Sequence, residues 1–263
     1  MMTSRHHLLA TMSLVIIFLT FLTLPLAAQG TCSTPLPHPP HQGGGKSASA
    51  IYGLQAVISK GTPVLGCQSK WDSYTNEWIM VVGPGSNAWI QLGWERSYSD
   101  PRVHIWYQAR GPRFQRDRHY DPTDPRYRVD IGRTYVIEAM SDEGGITYWS
   151  LWADGVALDS IPATDLQWPA GSAYAIDAQW SGELSYIESE MGGPFSSPVG
   201  FYYMSWYLGD PNGDWPYIDN PRVFNSEVSK YGGDAFQIYS GIWAFRNWTW
   251  TNFVYLPLIL KNP

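Results

Sequence analysis

Two short runs, Asn87-Ala88-Trp89-Ile90-Gln91-Leu92-Gly93-Trp94 and Ala178-Gln179-Trp180-Ser181-Gly182-Glu183, each set one proton-handling or hydrogen-bonding side chain into an apolar, strand-like stretch. A carboxylate such as Glu183 can take a proton from water and pass it on, while a carboxamide such as Gln91 can hold that water and donate to a developing oxyanion. Facing each other, the two would suffice to split an amide bond, with no metal or organic cofactor. The same side chains could equally ornament a sheet that binds sugar.

Alternation decides which face each side chain takes. Ala88, Ile90, Leu92 and Trp94 share one face, and Trp89, Gln91 and Gly93 the other. Tyr174, Ile176, Ala178 and Trp180 oppose Ala175, Asp177, Gln179, Ser181 and Glu183. A bulge at Gly182 would shift that parity. Without one, Glu183 stands on the polar face with Asp177 and Gln179 as supporting partners, and a curled sheet makes a groove floored by Gln91 and Glu183.

Aromatic and β-branched blocks recur between Gly, Pro, Asn and Asp: Ile51 to Ile58, Trp78 to Val82, Ala88 to Trp94, Val103 to Gln108, Thr134 to Met140, Thr147 to Ala153, Tyr174 to Ser181, Gly200 to Tyr207 and Ala235 to Trp243. Asp154-Gly155 reads as a tight hairpin turn. Helical periods are nearly absent. The pattern predicts an all-β chain folded as one antiparallel β-sandwich domain over residues 51–263.

Residues 1–28 read as a secretory signal, with Arg5, His6 and His7 before an apolar run and Ala27-Ala28 as a cleavage site; an uncleaved anchor is the alternative. Residues 29–50, rich in Pro and Gly, read as a linker or short propeptide in which His38 and His41 are spacers. The chain is thus expected outside the cell, without a stable membrane partner. Its two cysteines, Cys32 and Cys67, would there most simply pair with each other. A net charge of −6 with no basic stripe argues against nucleic acid. The run from Arg110 to Arg118 is interleaved with Gly, Pro and Asp and reads as a solvated loop. Oligomeric state is left open.

Four landmarks in order give the chain a family likeness. Ile90-Gln91-Leu92-Gly93-Trp94, Pro101-Arg102-Val103 leading to Trp106-Tyr107, Trp180 to Glu183, and Met191-Gly192 resemble the corresponding segments of the plant-type neprosin family of glutamic peptidases, over about Trp78 to Phe201. Ile90-Gln91-Leu92-Gly93 and Trp180-Ser181-Gly182-Glu183 also resemble the Gln and Glu segments of the fungal eqolisins. The chain departs from the plant-type pattern in carrying Gln91 where that family has its first Glu. The resemblance implies a concanavalin-like β-sandwich and a secreted, acid-active endopeptidase with polypeptide substrates. In it Glu183 would be the general base and acid, and Gln91 the water-orienting and oxyanion-stabilising group.

Trp89, Trp106 and Trp206 are candidates to pave the groove and grip an extended peptide. Glu95 follows Trp94 at a strand end and reads as a rim or turn residue; His104 reads as a surface histidine. Asn247-Trp248-Thr249 is a glycosylation sequon, and Asp210 to Asp214 offers oxygens that could hold calcium. Phe253 to Lys261 reads as an edge strand or docking tail. Two other functional classes stay open. One is a catalytically inactive carbohydrate- or protein-binding sandwich, suggested by 14 Trp and 17 Tyr. The other is a glycoside hydrolase, for which parity supplies only Asp177 as a second carboxylate near Glu183.

Overall fold

The computed structural model describes residues 32–33, 40–67, 70–85, 87–130, 132–141, 144–168, 174–186, 188–209, 212–224 and 231–250. The expected signal, the apolar stretch from Phe253 to Lys261 and part of the Asp210 to Asp214 turn lie outside the described residues. In chain order the strands are β1 (His41–Ile51), β2 (Gly53–Ser59), β3 (Tyr74–Val82), β4 (Trp89–Ser97), β5 (His104–Gly111), β6 (Phe114–His119) and β7 (Gly132–Ser141). They continue as β8 (Thr147–Ala153), β9 (Val156–Pro162), β10 (Ala175–Leu184), β11 (Val199–Tyr207), β12 (Arg222–Phe224), β13 (Tyr231–Tyr239) and β14 (Ile242–Thr249).

The strands form two antiparallel sheets of seven, ordered β12-β1-β10-β3-β4-β5-β6 and β13-β14-β11-β2-β7-β8-β9. Their facing sides build one core, to which the first sheet gives Ile79, Leu92, Trp94, Tyr107 and Trp180 and the second Leu54, Tyr135, Trp149, Phe201 and Phe245. This is the expected all-β, concanavalin-like sandwich. The alternation holds: Ala178 and Trp180 are in the core, and β10 pairs with β3 without a register shift, so no bulge at Gly182 disturbs parity. Asp154 and Gly155 both take positive φ, as a tight hairpin turn requires.

Three expectations are corrected. Residues 41–50 are not linker: they belong to β1, an interior strand between β12 and β10. The glycines that suggested flexibility serve close packing, since a Cβ on Gly43 would lie 2.2 Å from the Trp180 carbonyl oxygen. The block Ala235 to Trp243 is not one strand but the hinge of a hairpin, with β13 and β14 turning at Gly241, whose φ is +78°. Arg110 to Arg118 is a hairpin, not a loop: it closes β5, turns at Pro112-Arg113 and forms most of β6. Both Cys32 and Cys67 are disulfide-bonded.

Among the described residues one acid, Glu77 on β3, lies fully buried between the sheets. Asn247 on β14 donates to its Oε2 at 2.7 Å. Gly182 is glycine because of this pair: a Cβ there would stand 2.5 Å from the Asn247 amide nitrogen and 2.6 Å from Glu77 Oε1. With its Asn wholly buried, the sequon Asn247-Trp248-Thr249 is closed to modification in the folded chain. Burial pushes the Glu77 carboxyl up to about 8, although bonds from Asn247 and the Gly192 backbone pull it down. An acid raised in the folded state adds stability below its unfolded value of about 4.3 and loses it as pH rises through the folded value. Denaturant unfolding at pH 5 and pH 8 should therefore show a loss with rising pH, on the order of several kcal/mol. That loss should be smaller in Glu77→Gln, with the raised Glu95 carboxyl supplying part of what remains; an equal pH slope in both would refute a buried neutral acid.

Candidate active site

The outward face of the first sheet carries the chemistry. Pairing is in register across five strands, so His41, Glu183, Asn76, Glu95 and His104 stand on a single rung, contributed in turn by β1, β10, β3, β4 and β5. Alternation points all five to the side away from the core. Glu183 is half-buried, whereas Asn76, Glu95 and His104 are buried. Glu183 and Glu95 both line a cleft of about 240 Å³, together with Trp71, Tyr74, Asn76, Trp106, Asp117 and His119. Two strand spacings, about 10 Å, separate their backbones.

Each acid has its own supports. Tyr74, one step along β3, donates its hydroxyl to Glu183 Oε1 at 2.6 Å. Burial pushes the Glu183 carboxyl above its ordinary value, with the Tyr74 hydroxyl and His41 opposing. The Tyr74 phenol is itself driven far upward, by burial and then by Glu183, and stays a donor. Glu95 is pushed up to about 7 by burial, with Asp117 and Glu183 adding to the rise and His119 and the Asn76 bond opposing it.

Beyond Glu95 the histidines form a chain with a determined direction. His104 Nδ1 lies 3.1 Å from the Arg102 carbonyl oxygen, which can only accept, so the proton is on Nδ1. Burial pushes this imidazole down and keeps it neutral, making Nε2 an acceptor for His119 Nδ1 at 3.0 Å. His119 Nε2 is 3.4 Å from Asp117 Oδ1, which also takes the Trp106 indole proton at 2.8 Å. The Asp117 bond holds the His119 imidazole above its ordinary value and so favours its doubly protonated form, and Nδ1 lies 3.5 Å from Glu95 Oε1.

The predicted pair does not meet. Gln91 shares a rung with Met80 and Gln179, four residues along from Glu183. That is about 13 Å along the strand and two strands across, far beyond the reach of one bridging water. Asp177 and Gln179 are not partners of Glu183 either; Asp177 takes bonds from Arg222, Gln179 and Ser47 at the other end of β10. Trp206 belongs to the core of the other sheet. Trp89 is six residues from Glu95, beside a separate cavity with Arg110 and Phe114. Trp106 does lie in the cleft.

Glu95, expected at the rim, and His104, expected on the surface, are both buried on the rung. Asn76, Tyr74 and His119 were missed. The signal for the first two was within reach: had the strand at Trp78 been extended back to Tyr74, alternation would have placed Tyr74, Asn76 and Trp78 on one face. His119 and Asp117 lie on a strand whose pattern is mostly polar, and only pairing shows them.

Replacing Asp117 by Asn should lower the midpoint at which the His119 imidazole titrates, read from its ring nitrogens by NMR. An unmoved midpoint would contradict the assigned direction of the chain.

The sequence matches no protein-family model and no curated protein. Among solved structures it is similar to Scytalido-glutamic peptidase with a peptide-based transition-state analogue, at 12% identity over 81% of this chain and 98% of that one, with a TM-score of 0.48. It is also similar to SCP-B, of the eqolisin family, in complex with a tripeptide, at 11% identity, 81% and 98% coverage and a TM-score of 0.46. A Bacillus licheniformis β-glucanase follows at 8% identity, 78% and 68% coverage and a TM-score of 0.31. With TM-scores this low, the likenesses carry no argument about the reaction.

Proposed function

We propose that the chain is a hydrolase of amide bonds in polypeptides, working with the carboxyl pair Glu183 and Glu95. The observation that carries this reading is their shared rung, with Asn76 between them and a cleft above. The four ordered sequence landmarks support a polypeptide substrate. Glu183 keeps the role expected of it, and the role expected of Gln91 passes to Glu95.

In this mechanism Tyr74 fixes Glu183 through one carboxyl oxygen. In its carboxylate form Glu183 takes a proton as the water oxygen bonds to the scissile carbonyl carbon. Glu95, neutral below about 7, donates its O–H to the developing oxyanion. As the C–N bond breaks, Glu183 returns the proton to the leaving amine. One acid moves the proton while the other stabilises charge. The two carboxyls titrate as a coupled pair.

A second reading has a specific observation behind it. Glu95 supplies the second carboxylate that glycoside hydrolysis needs on the face of Glu183, and Trp106 and Trp71 could stack on sugar rings. Release of reducing ends from a β-glucan, and none of fragments from protein, would favour it.

The test is digestion of a denatured protein across pH 3 to 8 in the presence of a chelator, read as fragments. Cleavage is expected to fall as pH rises through about 7, where Glu95 loses its proton. Glu183→Gln should cost about 10²- to 10⁴-fold, the range for a lost general base. Glu95→Ala should cost about 10²- to 10³-fold, as for one oxyanion donor. Glu95→Gln should retain activity and extend it above pH 7, because a carboxamide donates without titrating. Full activity in Glu183→Gln would sink the proposal. No cleavage by any version, with retention on an insoluble glycan, would indicate a binding module instead.

A further inference from the structure

The Glu95, His104 and His119 side chains do more than support a carboxyl pair. Among the described residues they converge closely: His104 Nε2 is 3.0 Å from His119 Nδ1 and 3.8 Å from Glu95 Oε1, and His119 Nδ1 is 3.5 Å from the same oxygen. Ligands bound tetrahedrally to zinc at about 2.0 to 2.2 Å lie about 3.4 Å apart. The three separations bracket that value. An ion between these atoms would need little movement of the protein.

The outer groups are equally suited to a metal. A metal-bound histidine ordinarily donates its second ring N–H to a carboxylate or a backbone carbonyl, which fixes the tautomer that binds. His104 gives its Nδ1 proton to the Arg102 carbonyl, and His119 turns Nε2 toward Asp117. Asp117 is in turn held by Trp106 and by Gln108 at 3.4 Å. Glu95 and His104 face each other on paired strands, and β6 brings His119 alongside. The donors therefore sit on rigid elements, each held from behind.

The geometry points to a site for one divalent transition-metal ion of the zinc class, bound by Glu95, His104 and His119. Two imidazoles and one carboxylate suit zinc or cobalt far better than magnesium or calcium, which favour oxygen donors. Three protein ligands leave a fourth position for water or a substrate oxygen. Resting also on the carboxyl-pair reading is a consequence: an ion that binds Glu95 removes its donor proton, so it should inhibit hydrolysis.

The experiment is titration of the full chain with Co²⁺, followed by its visible absorption, and with Zn²⁺ and Mg²⁺ by calorimetry. One equivalent of Co²⁺ with the intense bands of a four-coordinate ion, displaced by Zn²⁺, is expected. Mg²⁺ should give no heat at the same concentrations. Asp117→Asn should weaken Zn²⁺ binding about 10- to 100-fold, the cost of losing a ligand's outer partner. His119→Ala should weaken it more; His119 is 48% exposed, and its loss leaves the core intact. Unaltered affinity in both His119→Ala and Glu95→Gln, or no binding by the wild-type chain, would overturn the site. Cleavage assayed beside binding separates the two ideas, since tight Zn²⁺ binding without inhibition would uphold the site and unseat Glu95 from the reaction.

Discussion

Pairing register in the first sheet is the constraint from which the site follows. Because side chains alternate with period two, a slip of one residue between any two of β1, β10, β3, β4 and β5 would send a rung member into the core. The register is held from the inner face, where Trp180, Ile79, Leu92 and Tyr107 share one rung and are all buried in the sandwich. Moving any of them outward would strip large apolar side chains of their packing. The same hydrophobic burial that makes the sheet thus aligns two acids, an amide and two histidines on its other side.

Burial then sets the chemistry. Glu95, at 5% exposure, is lifted toward neutrality chiefly by loss of water, while the Asp117 bond raises the His119 imidazole beside it. The two shifts have opposite causes within one cleft. Glu77 obeys the same rule on the inner face, but it opens on no cleft and pairs with Asn247, so its raised value bears on stability.

The sandwich was legible in the sequence because its strongest signals are local. Alternation in Ala88 to Trp94 and from Ala178 to Ser181 gave the correct faces, whereas Ala175, expected on the polar face, is in the core, and Asp154-Gly155 gave its turn. The outward, cleft-lining place of Glu183 was legible for the same reason. The acid that shares its rung was not, since which residue stands opposite depends on strand order and register, and β3 inserts itself between β4 and β10. Neighbouring motifs in sequence therefore pointed to Gln91, when the residue four further along was the one aligned. Strand β1 escaped notice because its glycines, read as flexible, are there to let Trp180 and Ser181 approach. His41 came with it, opposite Glu183.

The central claim is that Glu95 and Glu183 feel each other across the rung. Carboxyl-carbon NMR of glutamate-labelled protein through a pH titration tests it directly. Glu95 should titrate near 7, and its midpoint should fall in Glu183→Gln, where the neighbouring carboxylate is gone. A Glu95 midpoint near the ordinary value of about 4.3, or one that does not move with the substitution, would contradict it.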